Sequence, residues 1–526
     1  MSKKLNLIIY LFLIGYLFTG IYLSINTGIS HDEYHEQLNW EINLKSIKDF
    51  FSTGTYENLI EYKDRYHGIG FNIISQPFQI IFKELISNYL NLSEYGSTLI
   101  SKHIIVFAIF FFSGFFFYSI CNILFKDKKF SIISLFIFYL YPYLFGHAHF
   151  NPKDIPFLSF WIINTYFLLK TFKNFEKERL INFKIIFYFA LSTAFLISIR
   201  IVGILIFLQY LIFLAVYLES TNKKLINFIK LYRVNFIYFL ILTFFFIFIM
   251  NPIFCHNPFE IFNSLKWMSK YKQDICTLTL GDCMKSLNLP SSYYFIWLFF
   301  KLPILIIFGL IIFPFIEKKI LNNNINKIFI YSLLITISTI LILFIILNVA
   351  VYDEIRHIMF LIPLLFLVSL HNLYMFNKIF FYYAGSFLII FFIYENFKIN
   401  PYQYTWMNSF SKLYDINKTF EVDYWGISNK NLYSSIENHY VKNNLDNDIC
   451  VYGDLYSGAF LENKNFNCFR PYSELDAANN RPFYVLKNVR NFKRSDPKNC
   501  EIISLENYYY SFSNQKINVG SSWYCD

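Results

Sequence analysis

The chain has 526 residues, of which 56% are apolar or aromatic and only 16% charged, with Phe 66, Tyr 42 and Trp 7 together making 22%. Soluble globular proteins are about 25% charged and disordered chains are poor in aromatics, so both classes are excluded. The formal net charge of +10 raises nucleic acid as a partner, and the placement of the charges decides that question.

Residues 5–23 form the first apolar run, directly after Lys3 and Lys4. The run is long for a signal-peptide core and no small-residue cleavage site follows it, so it reads as an uncleaved span with a cytoplasmic N-terminus. Further runs lie at 99–120, 130–146, 155–171, 183–200, 202–218, 234–251, 293–315, 328–349, 357–371 and 379–394. Each approaches the roughly 20 residues a bilayer core demands. The expected fold class is an all-α polytopic membrane protein of about 11 transmembrane helices, occupying 1–394.

The loops alternate in charge as the positive-inside rule requires. Lys126, Lys128 and Lys129, then Lys173, Lys177 and Arg179, then Lys223, Lys224, Lys230 and Arg233, then Lys318, Lys319 and Lys327 fall on the cytoplasmic side. The basic excess is therefore a topology signal, and no nucleic-acid partner is expected. The expected location is the inner (plasma) membrane, with the lipid bilayer as solvent. Two outer loops are long, 25–98 and 252–292. The spans are nearly free of charge, so the polar chemistry is expected on the outer face, as in an enzyme working at the membrane surface.

An odd number of spans puts the C-terminus outside. Residues 395–526 are more polar, with short apolar runs at Asp448–Tyr452 and Arg481–Leu486 and a helical pattern over Ser428–Asn443. They read as a soluble extracytoplasmic α+β domain. Of eight cysteines, Cys121 lies at a cytoplasmic boundary and Cys255 near the outer membrane face. Cys276, Cys283, Cys450, Cys468, Cys500 and Cys525 fall outside, an even number that fits disulfides in an oxidising compartment. Cys276 and Cys283 form a local pair, whereas the four in the tail allow three connectivities. No C-x-x-C suggests a zinc ribbon.

Three stretches carry candidate chemistry. After the first span comes Ile29-Ser30-His31-Asp32-Glu33-Tyr34-His35-Glu36. Ser30 and Glu33 have capping-box spacing, and Asp32 and Glu33 complement the helix dipole. Either is also a carboxylate at the water–lipid boundary, able to take a proton from an acceptor hydroxyl. His31 and His35 are four apart, but Asp32 stands where a zinc protease has Glu. A divalent metal held by His31, His35 and Asp154 is left open.

The second stretch, Phe150-Asn151-Pro152-Lys153-Asp154-Ile155-Pro156, sets a cation and a carboxylate in a turn stiffened by two prolines. The third, Tyr352-Asp353-Glu354-Ile355-Arg356-His357, joins two late spans. Arginine is scarce before residue 400, yet Arg65, Arg200 and Arg356 lie outside against the charge rule. Their guanidinium forks suit phosphate. The alternative is that each simply pairs with a nearby carboxylate such as Asp353.

These motifs, with Glu421-Val422-Asp423-Tyr424-Trp425-Gly426 and Asn400-Pro401-Tyr402-Gln403-Tyr404 after the last span, resemble the GT-C superfamily of glycosyltransferases. The likeness runs from about residue 5 to about 430. It is greatest to bacterial relatives of the dolichyl-phosphate-mannose protein mannosyltransferases and the lipid A aminoarabinose transferases. The resemblance implies inverting sugar transfer from a polyprenyl-phosphate-linked donor on the outer, periplasmic face, to a protein, lipid or glycan acceptor. It implies Asp32 as base, with Glu33 beside it and Asp154 as the second acidic residue. Lys153, Arg200 and Arg356 match the family's donor-phosphate contacts by position, and Arg65 and His357 are further candidates for that phosphate. Such a donor is already activated, so no cofactor is required. The rival readings are a lipid-linked glycan flippase, which would need charges or broken helices at the midplane, and an O-antigen polymerase or ligase, which would lack Asp-Glu after the first span.

Overall fold

A computed structural model describes residues 3–526 apart from 91, 271–272, 322–323, 444, 446–448, 454–467, 472–481, 489–495, 511–512 and 514. The fold is mainly helical, with a small sheet at the C-terminal end of the chain.

Among the described residues, eight of the eleven expected spans are single helices long and apolar enough to cross a membrane. The other three apolar runs are helical but short or interrupted. Pro142 divides one into Lys128–Leu140 and Pro142–His147, and Leu302 and Pro303 separate Ser292–Lys301 from Ile304–Ile311. Proline lacks the N–H that would continue the ladder, so a helix restarts there. The third, Phe183–Ile199, has 17 residues and ends at Arg200.

The first expected long loop is itself largely helical. Ser30 starts the helix His31–Thr53, with Ser30 N donating to Glu33 Oε1 at 2.6 Å to complete the expected capping box. Gly54, at φ 76°, ends it in the left-handed conformation that glycine tolerates. The helix Gly70–Leu90 buries Phe71, Ser75, Gln79 and Ile86 but exposes Phe78, Ile81, Leu85 and Tyr89. Such an apolar face suits the headgroup boundary of a bilayer.

In the second long loop, β1 (Cys276–Thr279) and β2 (Asp282–Lys285) form a hairpin. Its two-residue turn is Leu280–Gly281, both at positive φ, which matches the twist of the paired strands. The expected Cys276–Cys283 disulfide is formed.

The C-terminal sheet contains β3 (Cys450–Gly453), β4 (Phe469–Pro471), β5 (Phe483–Asn488), β6 (Glu501–Tyr509) and β7 (Lys516–Cys525), in the order β4-β3-β5-β7-β6. β3 runs parallel to β4 and β5; β7 is antiparallel to β5 and β6. The expected helix is present as Asn429–Lys442 and buries Leu432, Ile436 and Tyr440. Ser435 Oγ reaches Ser522 Oγ at 2.7 Å, which ties that helix to β7. Asp448 and Arg481, which open two of the apolar runs, lie outside the described residues. Of the three tail connectivities the structure has one, Cys450–Cys468 with Cys500–Cys525.

Candidate active site

The motifs converge at one end of the helical bundle. Asp32 occupies the first turn of its helix with 35% of its side chain exposed, and its Oδ2 accepts from Arg356 Nη1 at 3.0 Å. The guanidinium lies 4.7 Å from the Tyr352 ring centre and 4.6 Å from that of Trp425. Two aromatic faces thus hold a cation, and a second carboxylate, Asp353, stands at 3.6 Å. Arg356 therefore pairs with its sequence neighbour, as the simpler alternative holds, and with Asp32 as well.

Two further cation–carboxylate pairs surround this one. Arg200, at the end of the helix Phe183–Ile199, pairs with the buried Asp154. Asn151 shapes that turn: its Nδ2 donates to Asp154 Oδ2 at 2.9 Å, and its Oδ1 accepts from the backbone of Asp154 at 2.8 Å. Lys153 pairs with Glu36, one helical turn beyond Asp32, and its Nζ donates to His67 Nδ1 at 3.3 Å. Burial first, and then the Lys153 charge, push the His67 imidazole down to about 3, so it accepts as the neutral ring. His67 also senses Asp32, Arg200 and His35, and His357 senses Arg356, Arg200 and Asp32. Asp32, Asp154, Lys153, Arg200, Arg356 and His357 thus share one electrostatic neighbourhood.

Glu33 is in a different position. Its carboxylate is buried, taking Ser30 N–H on one oxygen and His103 Nε2 at 2.7 Å on the other. The other His103 nitrogen contacts the Ser24 carbonyl at 2.9 Å. Glu33 therefore anchors the start of the helix and positions Asp32; it does not face solvent. Arg65 packs 4.7 Å from the Tyr66 ring centre and donates to the Tyr62 carbonyl at 3.3 Å.

The metal candidates are held separately. His31 is buried beside Gly426, with its Nε2 3.4 Å from Asn488 Nδ2. His35 is exposed beside Tyr34, and Asp154 is paired to Arg200. Among the described residues no three His, Cys, Asp or Glu side chains are grouped to hold a metal ion.

The Glu421–Gly426 segment closes the site. Asp423 accepts from the backbone of Ile427 at 2.8 Å, that of Ser428 at 3.1 Å, and the Tyr404 hydroxyl. Burial pushes its carboxyl up to about 6. This turn presents the Trp425 carbonyl to His31 N–H at 3.2 Å and the Trp425 ring to Arg356. Glu36, His67, Asn151, Tyr352 and Trp425 are site residues that sequence reasoning did not single out, although four of them lie in or beside the motifs.

No family model and no curated protein matches the chain. Among solved structures, ArnT from Cupriavidus metallidurans in the apo state is similar over 99% of this chain and 98% of that one, with a TM-score of 0.50 and 10% identity. ArnT from the same organism bound to undecaprenyl phosphate covers the same shares at 11% identity and a TM-score of 0.45. The likeness to apo ArnT is one of fold. The chain thus shares the fold of apo ArnT, a helical membrane fold of the kind its motifs led one to expect.

Proposed function

We propose that the chain is an integral-membrane glycosyltransferase that moves a sugar from a polyprenyl-phosphate-linked donor to an acceptor on the outer face of the membrane. The observation that carries this reading is the half-exposed Asp32, held by Arg356 among the cations Lys153 and Arg200. The fold shared with apo ArnT supports it. The three disulfides support the outer placement, because they lie on segments the charge pattern puts outside.

In this reading the isoprenoid tail stays in the bilayer and the donor phosphate enters the cation cluster. Phosphate shares Arg356 with Asp32, and a carboxylate relieved of its cation is a stronger base. The acceptor oxygen then attacks the anomeric carbon as its proton passes to Asp32. The bond from that carbon to the phosphate oxygen breaks with inversion, and polyprenyl phosphate leaves with its charge held by Arg356, Arg200 and Lys153. Cations placed where charge develops commonly lower such a barrier by several kcal/mol. No metal is needed in this scheme.

The test is mass spectrometry of membrane lipids and surface glycans from cells with and without the gene, complemented by wild type or Asp32→Asn. Loss of one glycosylated species, restored by wild type only, is expected. Identical profiles in all strains would refute the proposal.

A further inference from the structure

Lys301 and Glu354 form an ion pair with both side chains fully buried, Nζ to Oε2 2.8 Å. Lys301 ends the apolar helix Ser292–Lys301, and nothing in its run Phe299-Phe300-Lys301-Leu302-Pro303 calls for a charge. Its ammonium is 4.7 Å from the Tyr143 ring centre and donates to the Thr405 carbonyl at 3.4 Å. Removing two charges from water is costly and rarely stabilises a fold more than apolar packing would. Such a pair is better accounted for by the conformation it specifies.

That conformation is the loop carrying Arg356. Asp353 and Glu354 are successive non-glycine residues at φ 57° and 65°. The left-handed region is unfavourable for L side chains, and it persists where surrounding contacts impose it. Three contacts impose it here. Lys301 holds the Glu354 carboxylate, Tyr293 Oη donates to the Glu354 carbonyl at 3.0 Å, and Asp353 N–H donates to Thr277 Oγ1 of the disulfide hairpin at 3.0 Å. Two residues further on, Arg356 meets Asp32 between Tyr352 and Trp425.

The geometry points to Lys301 and Glu354 as positioning residues that fix Arg356 against Asp32 through the loop between them. Its catalytic consequence rests on the function proposed above; the placement of Arg356 does not.

The test reads that placement directly. Purified full-length protein in detergent is treated with phenylglyoxal, and modification of each arginine is followed by peptide mass spectrometry. The exposed Arg179 serves as the reactive standard and Arg65 as a control distant in sequence. Wild-type Arg356, being buried, should react slowly. In Glu354→Gln, and in the charge-neutral double variant Lys301→Met with Glu354→Met, its rate relative to Arg179 should rise about tenfold or more, as when one buried interaction is removed from a local opening equilibrium. Arg65 and the thermal midpoint of the double variant should be unchanged. A double variant that melts as wild type and protects Arg356 equally would overturn the inference. So would Arg65 and Arg356 becoming reactive in parallel, which marks general loosening. Undecaprenyl phosphate binding, measured on the same samples, separates the two readings. Exposure of Arg356 with unaltered lipid binding supports the positioning role and counts against the phosphate role of Arg356.

Discussion

Arg356 Nη1 lies 3.0 Å from Asp32 Oδ2, although 324 residues separate the two in sequence. One begins the helix after the first span and the other precedes a late span, so the fold alone brings them together. The pair joins a partly exposed carboxylate to a buried cation, so Asp32 is the member of the pair that meets solvent.

Asp32→Asn keeps the side-chain shape and its contact with Arg356 but removes the basic site. Sugar transfer by the purified enzyme should fall by about 10²-fold or more, the scale of general-base effects. Undecaprenyl phosphate affinity should change far less. Near wild-type turnover in a well-folded variant would remove Asp32 from the mechanism.

Arg356→Lys retains the charge but gives up the planar fork that lies between Tyr352 and Trp425. Loss of one charge-assisted hydrogen bond, about 1.5–3 kcal/mol, corresponds to roughly ten- to hundredfold weaker phosphate binding or slower transfer. Arg179→Lys, exposed at the other end of the bundle, should be silent. Equal effects from the two substitutions would show that the scarcity of arginine reflects topology rather than chemistry.

The positions of Asp32, Asp154 and Arg356 in the site were legible in the sequence because each belongs to a local motif of unusual composition. Their partners were not. Glu36 and Lys153 are far apart in the chain, and no local periodicity links them. Glu33 read like Asp32, yet successive helical residues point about 100° apart, and that rotation turns Glu33 inward to His103. Hydropathy does not register a helix break, so the interruptions at Pro142 and Pro303 were not legible within their apolar runs. Lys301 gave the one signal that could have been used, a lone cation within an aromatic run. The disulfide between Cys276 and Cys283 was legible because its partners are close in sequence; pairing of the four tail cysteines depends on strand order.

His67 gives a pH prediction. The unfolded imidazole takes a proton below its ordinary 6.5, whereas the folded one resists until about 3. The unfolded state therefore binds more protons within that window, and stability contributed by neutral His67 is lost as pH falls from 6.5 toward 3. His67→Gln still offers an acceptor to Lys153 but does not titrate. Its thermal midpoint should fall less than that of wild type between about pH 7.5 and about pH 5. Parallel losses in the two proteins would assign the acid sensitivity to other groups.

The cysteines test the proposed orientation. Cys255 is an exposed free thiol, Cys121 is free but buried, and the other six are paired. On intact spheroplasts an impermeant maleimide should label Cys255 alone. Prior reduction should add Cys276, Cys283, Cys450, Cys468 and Cys500, while the buried Cys121 and Cys525 should stay silent until the protein is denatured. Closing the short Cys276–Cys283 loop is worth about 2–3 kcal/mol in the chain-entropy account. Reduction should therefore loosen the hairpin whose Thr277 Oγ1 accepts from Asp353 N–H. Cys276→Ser with Cys283→Ser should accordingly slow transfer without abolishing it, because Lys301 still holds Glu354 from the other side. Labelling of the paired cysteines before reduction would remove the disulfides. Labelling of Cys255 only after the membrane is opened would put the site on the cytoplasmic face and overturn the proposed donor geometry.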